Sequence, residues 1–166
     1  MNIRNATLSD LPEIVAIYNS TIESGTVTAD TSPITVESRL EWFHQHTPDK
    51  RPLWIGETEN KEIIGWLSFN DFYGRPAYHI TAEISLYINE NVRGKGYGNM
   101  LLKKAIETAP ELGLENLLGF IFSSNESSIR LFKKHGFQTL GTIKNAAHMN
   151  SHYSDLEILG LRLVQS

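Results

Sequence analysis

Residues 92–99 read V-R-G-K-G-Y-G-N, and this stretch decides how the rest of the chain is interpreted. Gly94, Gly96 and Gly98 occupy alternate positions, and Arg93 and Lys95 add positive charge between and before them. Glycine tolerates positive φ and lets a ligand approach the backbone closely. Successive amides before a helix N-terminus attract anions, because the helix dipole adds to their effect. The stretch therefore predicts a phosphate or pyrophosphate site, with a tight strand-to-helix connection as the alternative.

Two common phosphate-binding motifs do not fit this stretch. The pattern G-x-x-x-x-G-K-[ST] is absent, and G-x-G-x-x-G fails because Gly94 and Gly96 are followed by Asn99. The pattern that does match is R-x-x-G-x-G, formed by Arg93, Gly96 and Gly98. The site is therefore expected to differ from those of nucleoside triphosphates and dinucleotides.

Strand-like and helix-like segments alternate on both sides of the stretch. The clearest strand covers residues 81–88, and a helix with an apolar face follows over residues 99–109 and ends near Pro110. Further strands are predicted at residues 2–6, 52–58, 62–70, 114–122, 139–143 and 156–163. Three further helices are predicted: one capped by Ser9, one capped by Thr35 with Leu40 facing inward, and one over residues 127–135. No repeat or linker interrupts the alternation, so we expect a single mixed α/β domain over residues 1–166.

Composition excludes several classes of function. The net charge of −4 gives no general attraction to nucleic acid or to anionic membranes. The first residues lack the apolar core of a signal peptide and no apolar run reaches the length of a membrane span, so we expect a cytoplasmic protein. The absence of cysteine excludes disulfides and thiol nucleophiles. His148 and His152 lack the residues that would complete a metal site, so no metal is expected.

A second motif lies downstream of the glycine stretch. Asn125, Ser128, Phe132, Gly136 and Phe137 fit the pattern N-x-x-[small]-x-x-x-[aromatic]-x-x-x-G-[aromatic]. With R-x-x-G-x-G at this distance before it, the sequence resembles the GCN5-related N-acetyltransferases (GNAT). The resemblance implies an α/β (α+β) domain with a mixed, mostly antiparallel central sheet of about seven strands, flanked by helices on both faces. It also implies acetyl-CoA as the co-substrate.

The resemblance assigns contacts to acetyl-CoA. In the family, the loop binds the pyrophosphate, and main-chain groups near the end of the preceding strand pair with the pantetheine arm. The corresponding residues here are Leu86, Tyr87 and Ile88 in the strand, Arg93, Gly94, Lys95, Gly96, Tyr97 and Gly98 in the loop, and Asn125 downstream. One strand N–H is expected to stabilise the thioester oxygen as it becomes an oxyanion. For Asn125, a role as a helix cap is the alternative.

A narrower resemblance concerns the acceptor. The stretches I-Y-N-S-T-I at 17–22, F-Y-G-R-P-A-Y at 72–78 and A-E-I-S-L-Y-I at 82–88 are similar to the phosphinothricin and methionine sulfone/sulfoximine acetyltransferases. Those enzymes acetylate the α-amino group of small amino-acid analogues. The resemblance thus implies a small-molecule amine as substrate and, as is common in the subgroup, a homodimer.

Glu83 is the candidate general base. Strand alternation places it on one face with Thr81, Ser85 and Tyr87. An amino-acid amine is mostly protonated at neutral pH, and it must lose a proton before it can attack a thioester. The subgroup carries a glutamate ten residues before the loop arginine, which is the position of Glu83. The alternative is a carboxylate on the solvated face of an antiparallel sheet.

Arg75 and Tyr78 are the candidate substrate contacts. A guanidinium matches a carboxylate in a two-pronged geometry. Arg75 lies eight residues before Glu83 in an aromatic-rich stretch, where it is expected to bind the carboxylate of the acceptor. The alternative is a surface arginine beside a turn made by Gly74 and Pro76.

Phe132 departs from the family pattern. Many GNAT members have a tyrosine there that protonates the departing CoA thiolate, and phenylalanine has no proton to give. No general acid is therefore assigned. Besides an amino-acid N-acetyltransferase, two functions stay open: a GNAT enzyme for a protein N-terminus, lysine or polyamine, and a non-catalytic acyl-CoA-binding module. Phe132 allows the last of these, whereas Glu83 argues against it.

Overall fold

The computed structural model describes residues 1–164. Its strands are β1 (Asn2–Asn5), β2 (Leu53–Glu57), β3 (Ile63–Asp71), β4 (Thr81–Ile88), β5 (Asn116–Phe122), β6 (Gln138–Met149) and β7 (His152–Arg162). Its helices are α1 (Leu11–Ser20), α2 (Leu40–His44), α3 (Tyr97–Thr108) and α4 (Glu126–Lys134). The predicted strand over residues 81–88 is confirmed at both ends.

All the strands form one sheet in the order β1-β2-β3-β4-β5-β7-β6. Neighbouring strands are antiparallel except β4 and β5, which are parallel. The predicted mixed, mostly antiparallel sheet of seven strands is therefore confirmed. The single parallel pair lies at the centre, where the chain leaves β4, passes through the glycine stretch and α3, and returns in β5.

A hydrophobic core lies on each face of the sheet. On one face, Ala82 and Ile84 of β4 pack in the same cluster as Leu101 and Leu102 of α3. On the other face, Trp66 of β3 packs with α1, and its indole N–H donates to the Ile14 carbonyl at 3.1 Å. Strands covered on both sides read as nearly continuous apolar runs, which is why β2 and β3 show no polar alternation.

The start of α1 differs from the sequence prediction. Ser9 does not cap the helix, because it lies inside a short 3-10 turn, Leu8–Asp10, that leads into α1. The Asp10 carboxylate accepts hydrogen bonds from the backbone N–H of Thr7 at 2.7 Å and from its hydroxyl at 3.0 Å. Arg4 holds the same carboxylate at 2.7 Å, so this ion pair fixes where the turn begins.

The second helix is shorter than its apolar spacing suggested. The Thr35 hydroxyl accepts from the Ser38 N–H at 3.2 Å, so Thr35 caps a 3-10 turn at Glu37–Arg39 rather than α2 itself. Leu40, expected to face inward, is exposed. The 3-10 turn rotates the following residues about the helix axis. As a result Arg39, and not Leu40, points toward β3 and β4.

The last two strands are longer than predicted. The structure extends them to β6 and β7, which form a hairpin with Asn150 and Ser151 at its turn. Both turn residues have positive φ, of 49° and 66°, as tight hairpin turns require. The residues near the turn are mostly polar, so the sequence shows no apolar alternation there. Hydrogen bonds between the two strands nevertheless hold these residues in the sheet.

Candidate active site

The site is built on a separation of β4 from β5. The two strands pair only over Thr81–Glu83 with Asn116–Leu118. Beyond Glu83, β4 continues to Ile88 along β3 alone, so within residues 1–164 its other edge has no strand partner there. Unpaired strand N–H and C=O groups are strong hydrogen-bonding groups that need partners. A cleft between the strands is therefore ready for an extended ligand.

The pairing of β3 and β4 decides which backbone groups of β4 face this cleft. The Asn89 N–H donates to the Ile64 carbonyl at 2.8 Å. Hydrogen-bonded pairs alternate in an antiparallel ladder, so Tyr87 and Ser85 also direct their backbone groups toward β3. Leu86 and Ile88 then direct theirs toward the cleft. Of the three predicted strand contacts, Leu86 and Ile88 offer free main-chain groups, while the main chain of Tyr87 is already paired.

The cleft continues along the glycine stretch. It has a volume of about 310 Å³, and its lining includes Leu86, Tyr87, Ile88, Arg93, Gly94, Gly96, Tyr97, Gly98 and Asn125. The structure thus brings nearly all of the predicted cofactor residues to one cavity. Lys95 is exposed and is not part of the lining.

The backbone of the glycine stretch has the conformation that the sequence suggested. Gly94 and Gly96 have φ values of 77° and 82°, which residues with a side chain rarely adopt. α3 begins at Tyr97, earlier than the predicted Asn99, so Gly96 directly precedes the first turn of the helix. Its amides lie where the helix dipole strengthens anion binding. The residues present therefore fit a pyrophosphate.

The other wall of the cleft comes from α4. Asn125 caps this helix, accepting from the Ser128 N–H at 3.4 Å, and also lines the cleft. α4 lies close on β5: a Cβ added to Gly119 would meet the Phe132 ring at 2.8 Å. Phe132 is buried and packs edge-on against Phe137 at 4.9 Å between centroids. Phe132 is therefore a core residue that packs α4 onto β5.

A second cavity, which we call the aromatic cavity, adjoins the cleft. It has a volume of about 240 Å³ and is lined by Ile14, Val15, Tyr18, Ile34, Arg39, Trp42, Trp66, Ser68, Asn70, Glu83, Ser85 and Tyr87. Tyr87 lines both the cleft and the aromatic cavity. A smaller space between them, of about 80 Å³, is lined by both Glu83 and Leu86. The two cavities thus meet along β4, between Glu83 and Tyr87.

Glu83 lies at this meeting point, on the polar face that the strand alternation predicted. Its partner in the β3–β4 register is Asn70, whose side-chain amide donates to the hydroxyls of Ser68 and Ser85 at 3.0 and 3.2 Å. Burial raises the pKa of the Glu83 carboxyl. A carboxylate with a raised pKa in a cleft is a stronger base than one in water.

The aromatic walls of this cavity hold polar groups in fixed positions. The Tyr18 hydroxyl bonds to Thr28 and Asp30. Tyr18 meets Tyr87 edge-on at 5.2 Å, and Trp66 lies against Tyr87 at 4.7 Å. Burial raises the pKa of the Tyr87 phenol, so this group stays neutral at physiological pH.

The structure does not bring Arg75 and Tyr78 to Glu83. Both line a separate depression of about 620 Å³, together with Arg51 and His79. Arg39 is the arginine in the lining of the aromatic cavity. No strong signal in the sequence points to Arg39, because it lies 44 positions before Glu83, in a turn whose inward face depends on tertiary packing.

Two further observations concern metal-binding groups and membrane-spanning helices among residues 1–164. Among residues 1–164, no group of three or more His, Asp or Glu side chains is placed to hold a metal ion. No helix in the same range is long and apolar enough to cross a membrane.

Comparison with known proteins connects this geometry to a family. The model of the acetyltransferase (GNAT) family matches residues 14–137. YwnH of Bacillus subtilis (strain 168), provisionally named a phosphinothricin acetyltransferase, is 52% identical over 163 residues, which is 98% of this chain and 99% of the relative. An L-methionine sulfoximine/L-methionine sulfone acetyltransferase of Pseudomonas paraeruginosa (strain DSM 24068 / PA7) is 31% identical over 162 residues, covering 98% of this chain and 94% of the relative.

One solved structure similar to this chain contains acetyl-CoA. The GNAT superfamily phosphinothricin acetyltransferase (Pat) from Sinorhizobium meliloti was crystallised in complex with acetyl-CoA. It superposes with a TM-score of 0.92 at 26% sequence identity, covering 98% of this chain and 88% of that chain.

Proposed function

This chain belongs to the acetyltransferase (GNAT) family, and from that premise we propose that it acetylates the α-amino group of a small amino acid or analogue of the phosphinothricin or methionine sulfone/sulfoximine type. One observation carries the proposal. Glu83 lies where the aromatic cavity meets the space that leads to the cleft, so a base stands between the acceptor and the acetyl donor.

The cleft is the proposed site of acetyl-CoA. The amides of the glycine stretch and the first turn of α3 would hold the pyrophosphate, with Arg93 adding charge. The free main-chain groups of Leu86 and Ile88 would bind the pantetheine arm, as a strand partner would. Acetyl-CoA would supply the reactive thioester, and these protein groups would hold the thioester in place.

Glu83 acts as the general base in this proposal. Its carboxylate takes a proton from the acceptor ammonium, directly or through one water molecule, and leaves a neutral amine. The amine lone pair forms the new C–N bond at the thioester carbon, and the C–S bond breaks so that CoA leaves as a thiolate. The nitrogen releases its second proton to water or to the departing thiolate and becomes the amide, and Glu83 returns its proton to solvent before the next turnover. A Leu86 or Ile88 N–H stabilises the oxygen that becomes negative in between, an effect worth roughly 3 kcal/mol for one donor.

No side chain is assigned as the acid that protonates the thiolate. Phe132 has no proton to donate, and burial keeps the proton on Tyr87. A thiol pKa of about 8.5 makes the thiolate a tolerable leaving group near neutral pH, so transfer does not need a strong acid.

The test is a panel of acceptors. CoA thiol release is measured with acetyl-CoA and methionine sulfone, methionine sulfoximine or phosphinothricin, beside a polyamine and a short peptide as comparison amines. We expect saturable turnover with at least one of the amino-acid analogues and much lower kcat/KM with the comparison amines. Preference for the peptide or the polyamine would replace the acceptor class, and binding of acetyl-CoA without any turnover would favour a non-catalytic module.

A homodimer and a cytoplasmic location belong to the same proposal. Tyr73, Leu140 and Tyr153 expose 75%, 63% and 66% of their surface, and burying such side chains between two copies of the chain would favour association. Light scattering should give about twice the chain mass of 18.7 kDa for a dimer. A mass equal to that of one chain would contradict it. The location stays a prediction.

A further inference from the structure

We propose that Arg39 binds the α-carboxylate of the acceptor and thereby selects amino acids over simple amines. The inference rests on the proposed function, because it assumes that the aromatic cavity holds the acceptor. The inference assigns binding of the acceptor carboxylate to Arg39, whereas the sequence analysis predicted Arg75 for this role.

The charges in the aromatic cavity carry the argument. Among its described lining residues, Arg39 is the cation and Glu83 is the anion. An α-amino acid is a zwitterion, with its ammonium and carboxylate on the same carbon. An ammonium placed at Glu83 would leave the carboxylate within the same small cavity, where Arg39 supplies the opposite charge. A simple amine would use Glu83 alone.

Arg39 is held in place without being fully occupied. Its guanidinium lies over the Tyr18 ring at 5.4 Å and over the Trp42 ring at 5.8 Å. Its ion pair with Asp30, at 3.6 Å, is longer than a close hydrogen bond, and Asp30 is 41% exposed on its side chain. Stacking of this kind orients a guanidinium while leaving its edge of N–H donors available for a carboxylate.

The partners of Arg39 tie it to the wall of the cavity. Tyr18 bonds through its hydroxyl to Asp30, so one carboxylate orients both the ring and the guanidinium above it. Trp42 in turn meets Trp66 edge-on at 5.5 Å, which connects α2 to the sheet. The guanidinium is therefore positioned by packed aromatic groups rather than by a flexible surface loop. Arg75 lies in the other depression, where within residues 1–164 it does not face Glu83.

The experiment compares two acceptors that differ only in the carboxylate. Methionine sulfone is compared with 3-(methylsulfonyl)propan-1-amine, the same molecule without its carboxyl group. For Arg39→Ala we expect kcat/KM with methionine sulfone to fall about 10- to 100-fold, chiefly through KM, since a hydrogen-bonded charge pair is lost. The decarboxylated amine should keep its kcat/KM. Arg39→Lys should restore part of the preference, because it keeps the charge but loses the fork.

Two further variants make the result specific. Arg162→Ala is the matched control: Arg162 is an exposed arginine that pairs with Glu115 at 3.3 Å on another part of the sheet, and its loss should leave the preference unchanged. Arg75→Ala tests the rival assignment. Added guanidinium ion should partly rescue Arg39→Ala with methionine sulfone and should have no effect with the decarboxylated amine.

Several outcomes would overturn the inference. An equal loss for both acceptors in Arg39→Ala would mean that Arg39 only supports Tyr18 and Trp42. Loss of the preference in Arg75→Ala but not in Arg39→Ala would assign the carboxylate to Arg75.

Calorimetric titration of methionine sulfone into the protein with bound CoA separates this inference from the proposed function. If the wild-type protein binds methionine sulfone without acetylating it, and Arg39→Ala does not bind it, the proposed function fails and the inference on Arg39 stands. If the wild-type protein does not bind methionine sulfone, both fail.

Discussion

Two glutamates in one sheet, Glu57 buried and Glu83 half-buried, have opposite surroundings. Glu57, at the end of β2, has 1% of its side chain exposed, and it receives hydrogen bonds from Asn2 at 3.2 Å and Arg4 at 3.1 Å, with Lys61 at 3.4 Å. Burial alone would raise the pKa of Glu57, but these donors lower it overall. Glu83, in β4, has a raised pKa, and burial is the cause.

The difference is the one expected between a structural carboxylate and the proposed general base. Donors around Glu57 stabilise its charged form, so this group joins β1 to β2 and has little affinity for a proton. Glu83 is removed from water without such donors, so its charged form is less stable and accepts a proton more readily. The residue type is the same in the two cases, and the neighbours set the direction of the pKa shift.

The largest expected effect comes from Glu83→Gln. Removal of a general base typically costs roughly 100- to 10,000-fold in rate, so we expect kcat to fall within this range while the KM for acetyl-CoA stays near its original value. Thermal unfolding should be unchanged or shifted upward, since a desolvated charge is removed. Steady-state thiol release and a thermal melt measure both effects.

Glu115→Gln is the matched control for that variant, because Glu115 is a surface carboxylate paired with Arg162. Glu115→Gln should change neither kcat nor the temperature of thermal unfolding. A Glu83→Gln protein that retains wild-type kcat would remove Glu83 from the mechanism.

The opposite pattern is expected for Glu57→Gln. Arg4 would lose one of its two carboxylate partners, Asp10 being the other, and the connection between β1 and β2 would weaken. We expect the midpoint of thermal unfolding to fall by several degrees, with kcat unchanged once the protein is folded. Glu126→Gln is its comparison, since Glu126 forms only an exposed pair with Arg130 at 3.9 Å. Loss of kcat without loss of stability would contradict the distinction.

The two regions should also respond differently to acid. The depressed pKa values of Asp10 and Glu57 give stability that is present above the ordinary carboxyl pKa and is lost as pH falls through the lower folded-state values. Glu83 has a raised pKa, so its base form is lost at a higher pH than an ordinary glutamate would show. As pH falls, kcat should decline before the unfolding midpoint does.

A pH series of kcat and of thermal melts on the same protein measures this order. The acid limb of kcat should disappear in Glu83→Gln. Simultaneous loss of activity and stability in the wild-type protein would mean that acid acts through unfolding alone.

The smallest effect is expected for Phe132→Tyr, which restores the tyrosine common in the family. A positioned general acid is typically worth roughly 100-fold or more, and we expect a change in kcat well below this, because the thiolate leaves without strong assistance. Single-turnover and steady-state rates of thiol release measure it. A rise in kcat of roughly 100-fold or more would show that protonation of the thiolate limits the wild-type reaction.

Much of the site could be predicted because it lies within short stretches of chain. The strand over residues 81–88 alternates polar and apolar residues, and the glycine spacing after it fixes a loop and a helix start. The cap role of Asn125, offered as an alternative, is also a local feature. The boundaries of α2 and the length of β6 were predicted less well. A 3-10 turn and cross-strand pairing decide them, and neither leaves a clear periodic signal.

By itself, the sequence determined the fold class, the backbone conformation of the glycine stretch and the face on which Glu83 lies, because each depends on residues within a turn or a strand of one another. The tertiary structure alone decided which main-chain groups of β4 are free, since the departure of β5 after Leu118 exposes Leu86 and Ile88. It also decided that Arg39, rather than Arg75, shares a cavity with Glu83. Packing of α1 and α2 against the sheet brings such distant residues together, and no local pattern records that contact.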